Sequence, residues 1–512
     1  MKSSSPPNVT VPTGGPPEGG DGLDRGVLAV AAVVVLGAVM SILDVTVVNV
    51  ALKHLSADFN APLSTIQWVA TGYTLALATV IPITGWACDR FGTKRLYMLS
   101  IGLFVIGSAL AGAAWSAESL IVFRVLQGLG GGMIMPAGMT ILTQAAGPQR
   151  VGQVMSVVGI PMLLGPITGP ILGGWLVDDI SWRWIFYINV PIGAIALLLA
   201  WKILERDTPQ PTQRLDFLGL LLLSPGLAAL IYGLATGAER GAFDSAEVLG
   251  FTLGGAALVI GFLVRALTAK APLIDIRLFK RRSVAAASGT MVLFGCAFFG
   301  AMLLMPLYYQ TVRGESAFAS GLLLAPQGIG AMITMPIGGK LTDRVGPGRV
   351  VLGGLLLVIV GMFGFTQVTA DSSYWMLGTA LVVMGMGMGM TMMPTMSAAF
   401  QSLSHDEVPR ASTALNIIQQ VAGSIGTAAV AVILTNELTD RLPGGAGEGG
   451  GLGAATQDIP PEVQAQVAPP IAEAFGSTYW WALALLMLAF LPALLLPRKR
   501  AEVPAEQPMV MH

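Results

Sequence analysis

Asp44 and Arg124 are the one acid and the one base that fall well inside long apolar runs of this sequence. Hydrocarbon solvates charge so poorly that an ionisable side chain at membrane depth is read as functional by default. Burial favours a neutral carboxyl and a neighbouring guanidinium favours the carboxylate, so a change of surroundings can load or release a proton. The chemistry open to this pair is therefore proton exchange. His54 and His405 fall between apolar runs and His512 ends the chain, so no imidazole can join a nucleophile or a metal inside such a run. Cys88 and Cys296 are far apart and lack the paired spacing of a metal site or a disulfide framework, so both are read as thiols. No phosphate-cradling glycine loop followed by lysine occurs, which argues against direct ATP drive. No cofactor and no metal is expected, and the reading is not that of an enzyme.

The elements that position the pair are membrane helices. Only 11% of the residues are charged and the mean hydropathy is +0.71, far from a water-soluble domain. A net charge of -1, with the lysines and arginines scattered through short connections, leaves no basic stripe for nucleic acid. Crossing a bilayer takes roughly 20 apolar helical residues. Fourteen runs meet that length, the first at 27–50, the fifth at 151–176, the thirteenth at 411–435 and the last at 476–497. Lysine and arginine in short loops collect on the cytoplasmic side. With both termini inside, cytoplasmic segments hold 22 of the 28, external segments hold five, and Arg124 is intramembrane. The expected location is the cell (plasma or inner) membrane, multi-pass, with both termini cytoplasmic. Counted inward from Leu52 and Ser119 at about 1.5 Å per residue, Asp44 lies ~12 Å deep and Arg124 ~8 Å deep, which permits a pair.

A repeat organises these helices. Gly85, Asp89, Arg90, Gly92 and Arg95 follow the second run, and Gly339, Asp343, Arg344, Gly346 and Arg349 follow the tenth at a constant offset of 254. The repeat implies two six-helix halves, 25–205 and 283–500, with two helices and a linker inserted over 206–282. Residues 1–24 and 501–512 are expected to be cytoplasmic tails, the first disordered, and 436–475 a flexible external loop.

These duplicated turns resemble the signature loop of the major facilitator superfamily, and the helix count is similar to its fourteen-helix drug:proton antiporter family. Leu43 to Leu52, Arg124 with Gln127-Gly128, the run Gly165, Pro166, Gly169, Pro170, Gly173 and Gly174, and Trp182 to Pro191 each resemble a stretch typical of that family. The resemblance implies an all-α membrane fold of two six-helix bundles plus two inserted helices, with helices one and four adjacent. It also implies a proton-driven exporter of small amphipathic molecules, such as drugs, that works by alternating access. A lipid or cell-envelope precursor is the alternative cargo. By the same resemblance Asp89 meets the start of helix thirteen near Arg410 and latches the cytoplasmic side. Arg90 and Arg95 then anchor the loop, and Asp343 and Arg344 act likewise in the second half.

The Gly-Pro steps of helix five remove backbone donors and bulk together, which suits a pivot and, by resemblance, marks exporters. Cavity candidates are Tyr73, Phe298 and Tyr308 as aromatic walls, Met390 in a Met-Gly run as a polarizable surface, and Gln127, Asn416 and Gln420 as hydrogen-bonding points. Helices nine to fourteen offer no buried acid, which favours neutral, zwitterionic or monocationic cargo over dications. Protons and membrane lipid are the remaining partners. Glycine-based packing is needed within one chain and specifies no oligomer.

Overall fold

The computed structural model describes residues 24–147, 150–205, 209, 214–404, 406–441 and 461–498. The expectations for the two tails and for much of the linker and the external loop lie outside these residues. Hydropathy dictates the elements, because backbone polar groups in lipid must be paired within the segment. The helices are α1 (Arg25–Asp58), α2 (Thr65–Phe91), α3 (Thr93–Gly112), α4 (Ala117–Ala146), α5 (Val151–Asp179), α6 (Trp184–Ile203) and α7 (Phe217–Arg240). The series continues with α8 (Ala246–Thr268), α9 (Arg282–Thr311), α10 (Phe318–Val345), α11 (Pro347–Thr366), α12 (Tyr374–Phe400), α13 (Val408–Arg441) and α14 (Pro461–Ala493). Among the described residues 13 are long and apolar enough to cross a membrane, and α5, with 29 residues and no charge before its last two, makes the fourteenth long helix. The chain is a multi-pass membrane protein.

Helices α1 and α13 each run 34 residues, well beyond the apolar stretches that announce them. Both extensions carry their charges past the apolar window, which hydropathy alone cannot see. α2 is interrupted at Ile81–Ile83 by a tight 3-10 turn around Pro82, whose ring removes a donor and forces the local change.

The packing repeats itself. In the first half α1 packs on α5 and α6, α4 on α2 and α3, and α3 on α6. In the second half α9 packs on α13 and α14, α12 on α10 and α11, and α11 on α14. These are the same five pairings shifted by eight helices, so the two bundles are built alike. The shared turn is duplicated down to the backbone. Gly92 and Gly346, 254 positions apart, close their helices with φ of 87° and 91°, a conformation that L side chains avoid.

The two seams between the bundles differ. On one side α5 lies directly against α10 and α12. On the other, α2 meets α13 through its last turns, and the inserted helix α7 packs on both. Ser224 of α7 donates to Thr79 O of α2 at 2.6 Å, Gln67 reaches Glu239 at 2.7 Å, and Trp68 stacks on Tyr232.

Candidate functional site

Asp44 and Arg124 form a salt bridge of 2.5 Å with both side chains essentially out of reach of solvent, at 0% and 1% exposure. Three donors converge on the carboxylate: Arg124 Nη1 on Oδ2, and Gln127 Nε2 at 2.8 Å and Asn189 Nδ2 at 3.1 Å on Oδ1. An ionised carboxylate only accepts, so this shell matches its charged form. The guanidinium is held as firmly. Its Nη1 also donates to Gln127 Oε1 at 2.8 Å, its Nε to Val69 O at 3.2 Å, and its Cζ lies over the Tyr73 ring, 4.2 Å from the ring centre. Asn189 is oriented in turn by Ser108, which bonds to Phe186 O at 2.8 Å. Five helices, α1 to α4 and α6, therefore meet at one carboxylate.

A cavity of about 520 Å³ opens between the bundles beside this network. Ser41, Ile42, Val45 and Thr46 line it from α1, so Asp44 lies on the same turns of the helix but points away from the cavity. α4 contributes Gly131 to Pro136, α7 contributes Ile231, Ala235 and Ala238, and α13 contributes Asn416, Gln420, Ser424 and Thr427. Hydroxyls and amides supply its polarity, and among the described residues no charged one lines it. Toward the face that carries the chain termini it is floored by Ser412 of α13, whose hydroxyl donates to Pro136 O at 3.0 Å.

That same face is latched twice. Asp89 at the end of α2 pairs with Arg410 of α13 at 3.4 Å, and Gly85 sits so close to Pro409 and Arg410 that a Cβ would come within 3.3 Å of their backbone. In the other half Asp343 caps α5, accepting the backbone N–H groups of Gly152 and Gln153 at 3.1 Å each. A carboxylate at a helix N-terminus satisfies otherwise orphaned donors and faces the positive end of the dipole. Gly339 completes this latch, since its carbonyl is 2.8 Å from where a Gly152 Cβ would stand.

A further anchor of the first turn comes from Lys94. Arg90, Arg95 and Arg344 are exposed. Lys94 ties the first turn to the end of α6 by donating to Trp201 O at 2.8 Å and to Leu204 O. At the equivalent position of the second half, Gly348 N donates to Pro497 O just beyond α14. A side-chain ammonium and a backbone amide thus do one job at repeat-related sites.

α5 presses its glycines onto α1 around the ion pair. A Cβ at Gly165 would collide with Ile42 and one at Gly169 with Thr46, while Gly173 faces Val47 at 3.1 Å. Thr46 also donates to Gly165 O at 3.2 Å. Gly174 has open space around it, and the side chains of Pro166 and Pro170 lie outside the described residues.

Of the cavity candidates, Asn416 and Gln420 line the 520 Å³ space. Gln127 and Tyr73 belong to the ion-pair shell instead, on faces of α4 and α2 turned into the first bundle. Phe298 stacks on Phe294 at 5.5 Å, and its neighbour Phe299 takes the cavity wall, a displacement of one residue around the helix. Tyr308 is packed against Tyr309 and Phe475 and donates to Thr369 O at 2.7 Å, away from the cavity. Met390 backs the α10 contact near Gly338, and the glycines around it bring backbones together: a Cβ at Gly387 would stand 2.5 Å from Gly354 O. The Met-Gly run is therefore packing. Asn189 and Ser108 were the residues that sequence reasoning missed. The available signal was a lone Asn inside an apolar helix, which must find a buried partner.

Comparison with known proteins follows the same lines. The profile of the Major Facilitator Superfamily matches residues 34–427. The chain is 44% identical over 496 residues to the Multidrug resistance protein B homolog of Mycobacterium tuberculosis, covering 94% of this chain and 92% of that one. It is 34% identical to the Multidrug export protein EmrB of Haemophilus influenzae, over 77% of each chain. The Tetracenomycin C resistance and export protein of Streptomyces glaucescens is 30% identical over 80% of this chain and 76% of its own. Among solved structures, a double-tryptophan mutant of XylE superimposes with a TM-score of 0.61 at 14% identity, over 93% of this chain and 97% of that one. At that identity the likeness speaks to fold alone.

Proposed function

The chain belongs to the major facilitator superfamily, and on that footing we propose that it is a proton-coupled exporter of small amphipathic or hydrophobic compounds, working by alternating access. The observation that carries this reading is the buried Asp44 carboxylate, fully bonded within the first bundle and less than one helical turn from the cavity wall. The terminal face is the cytoplasmic one on the positive-inside count, so the latched arrangement is the state with the cytoplasmic side shut. A proton arriving from outside neutralises Asp44 and frees Arg124 to Gln127 and the Tyr73 face. α1, held to α5 by glycine contacts, then changes its fit, and the latches at Arg410 and Gly152 give way toward the inward state. Cargo enters there, and proton loss to the cytoplasm restores the ion pair. Moving one charge through the membrane potential supplies about 2.3 kcal/mol per 100 mV, enough to drive such a cycle.

The uncharged polar lining fits neutral or monocationic compounds. The names of the relatives above, which speak of multidrug resistance, multidrug export and tetracenomycin C resistance and export, favour drug-like cargo over an envelope lipid. The cell membrane is the setting in which such an exporter acts. The test is a panel of fluorescent amphipathic compounds offered to the purified protein in sealed vesicles under an imposed pH gradient. Accumulation that collapses with the gradient supports the reading. Accumulation indifferent to the gradient, or a chemically altered compound, would reject it.

A further inference from the structure

A second cavity, of about 410 Å³, lies on the other face of α13. Leu223 and Leu227 of α7, Phe262 of α8, Phe279 of the segment before α9, and Ile417 and Val421 of α13 form its wall, and among the described residues no charged one lines it. α13 divides the two spaces by helical spacing. Ile417, Val421 and Ile425 point into this groove at intervals of four, while Asn416, Gln420 and Ser424 point into the central cavity. The inserted hairpin therefore makes a niche with the second bundle that is separate from the inter-bundle cavity.

The niche is open to the bilayer side, where Leu263, Val292 and Ile425 on its rim are each about two-fifths exposed. At its terminal-face end stands the short helix Ile276–Lys280, which turns Ile276 and Phe279 into the groove and leaves Arg277 and Lys280 exposed. Arg282 follows, also exposed. None of these three cations makes a salt bridge among the described residues. The neighbouring acids are occupied: Asp275 caps Arg277 N, Asp216 pairs with Arg265, and Glu407 pairs with Arg281. An all-apolar slot ending in three uncompensated cations is complementary to a molecule with a hydrocarbon chain and an anionic head. Basic niches between membrane helices bind anionic headgroups on the same principle.

We propose that this groove is a binding site for an anionic phospholipid of the leaflet on the terminal face, with one acyl chain against Leu227 and Val421 and the phosphate near Arg277, Lys280 and Arg282. The site does not depend on proton coupling or on the identity of the cargo. Such a lipid would brace α13, the helix that carries both the latch partner Arg410 and the polar wall of the cavity.

Native mass spectrometry of the full-length protein in mild detergent, titrated with phosphatidylglycerol or phosphatidylcholine, tests it. Phosphatidylglycerol is expected to bind about tenfold or more tightly than phosphatidylcholine, and the triple variant Arg277→Ala, Lys280→Ala, Arg282→Ala to erase that preference. Leu227→Trp, which fills the slot, is expected to abolish binding of both lipids. Should that variant fail to fold, a photo-crosslinking phenylalanine analogue at Val421 reads the same question, with lipid adducts expected there and not at Gln420 on the opposite face. Equal binding of the two lipids, or adducts at both positions, would overturn the proposal. So would a groove that takes the apolar fluorophore diphenylhexatriene but no phospholipid, which would assign it to hydrophobic cargo.

Discussion

Arg124 Nη1 lies 2.5 Å from Asp44 Oδ2, yet neither side chain reaches the cavity that α1 lines with Ser41 and Val45 on either side of the carboxylate. Under the proposed function, coupling would have to run through the packing of α1, because Asp44 and the cavity lie on different faces of that helix. Removing one partner of a buried pair leaves an uncompensated charge and costs about 3–5 kcal/mol, whereas neutralising both is far milder. Arg124→Gln is expected to lower the thermal unfolding temperature in detergent sharply. Adding Asp44→Asn to it should recover most of the stability and none of the uphill transport.

The latches make a second prediction with a built-in reporter. Cys88 is buried beside Asp89, and replacing the other thiol by Cys296→Ala leaves it as the sole cysteine. Each hydrogen bond to a charged group contributes about 1.5–3 kcal/mol, so Asp343→Asn, which weakens two, should raise the population with the terminal face open by about tenfold or more. Maleimide labelling of Cys88 should accelerate accordingly. An unchanged rate would mean that the Asp343 cap of α5 does not hold the closed state.

Glycines of α5 make the third. Gly169→Val inserts bulk where Thr46 already stands and is expected to cost about 1–3 kcal/mol through overpacking. Gly174→Ala, inside the helix and with nothing within 4 Å, should leave thermal stability unchanged or raise it by up to about 1 kcal/mol. Equal effects of the two would dismiss the α1–α5 seam as a tight contact.

Much of this arrangement was legible in the sequence for a physical reason: hydrocarbon enforces long apolar runs and penalises charge, so Asp44, Arg124 and the paired Asp89 and Asp343 turns stand out at once. What could not be read was helix rotation. Phe298 and Phe299 differ by one position, and only packing decides which meets the cavity. Tyr73 and Gln127 were identified as polar or aromatic residues of the right helices, but their faces turn toward Arg124 and Asp44. Lys94 falls among the cytoplasmic charges of the positive-inside count, and its bond to the α6 terminus depends on where a helix 107 residues further along the chain comes to an end.

The duplicated turn gives the fourth prediction. Gly92→Ala and Gly346→Ala each force a side chain into a region favoured by glycine alone, at about 1–3 kcal/mol apiece. The two losses are expected to be alike in thermal unfolding, since the repeat-related backbones are alike. A large effect at one site only would break the equivalence of the halves.

The most direct test of the central claim is to count protons. In sealed vesicles with a trapped pH-sensitive dye, an imposed gradient of a transported compound should drive a measurable counterflow of protons in the wild-type protein. With Asp44→Asn, verified as folded and inserted, the compound should still equilibrate down its own gradient while the dye signal stays flat. Proton counterflow undiminished in Asp44→Asn would contradict the assignment of Asp44 as the coupling group.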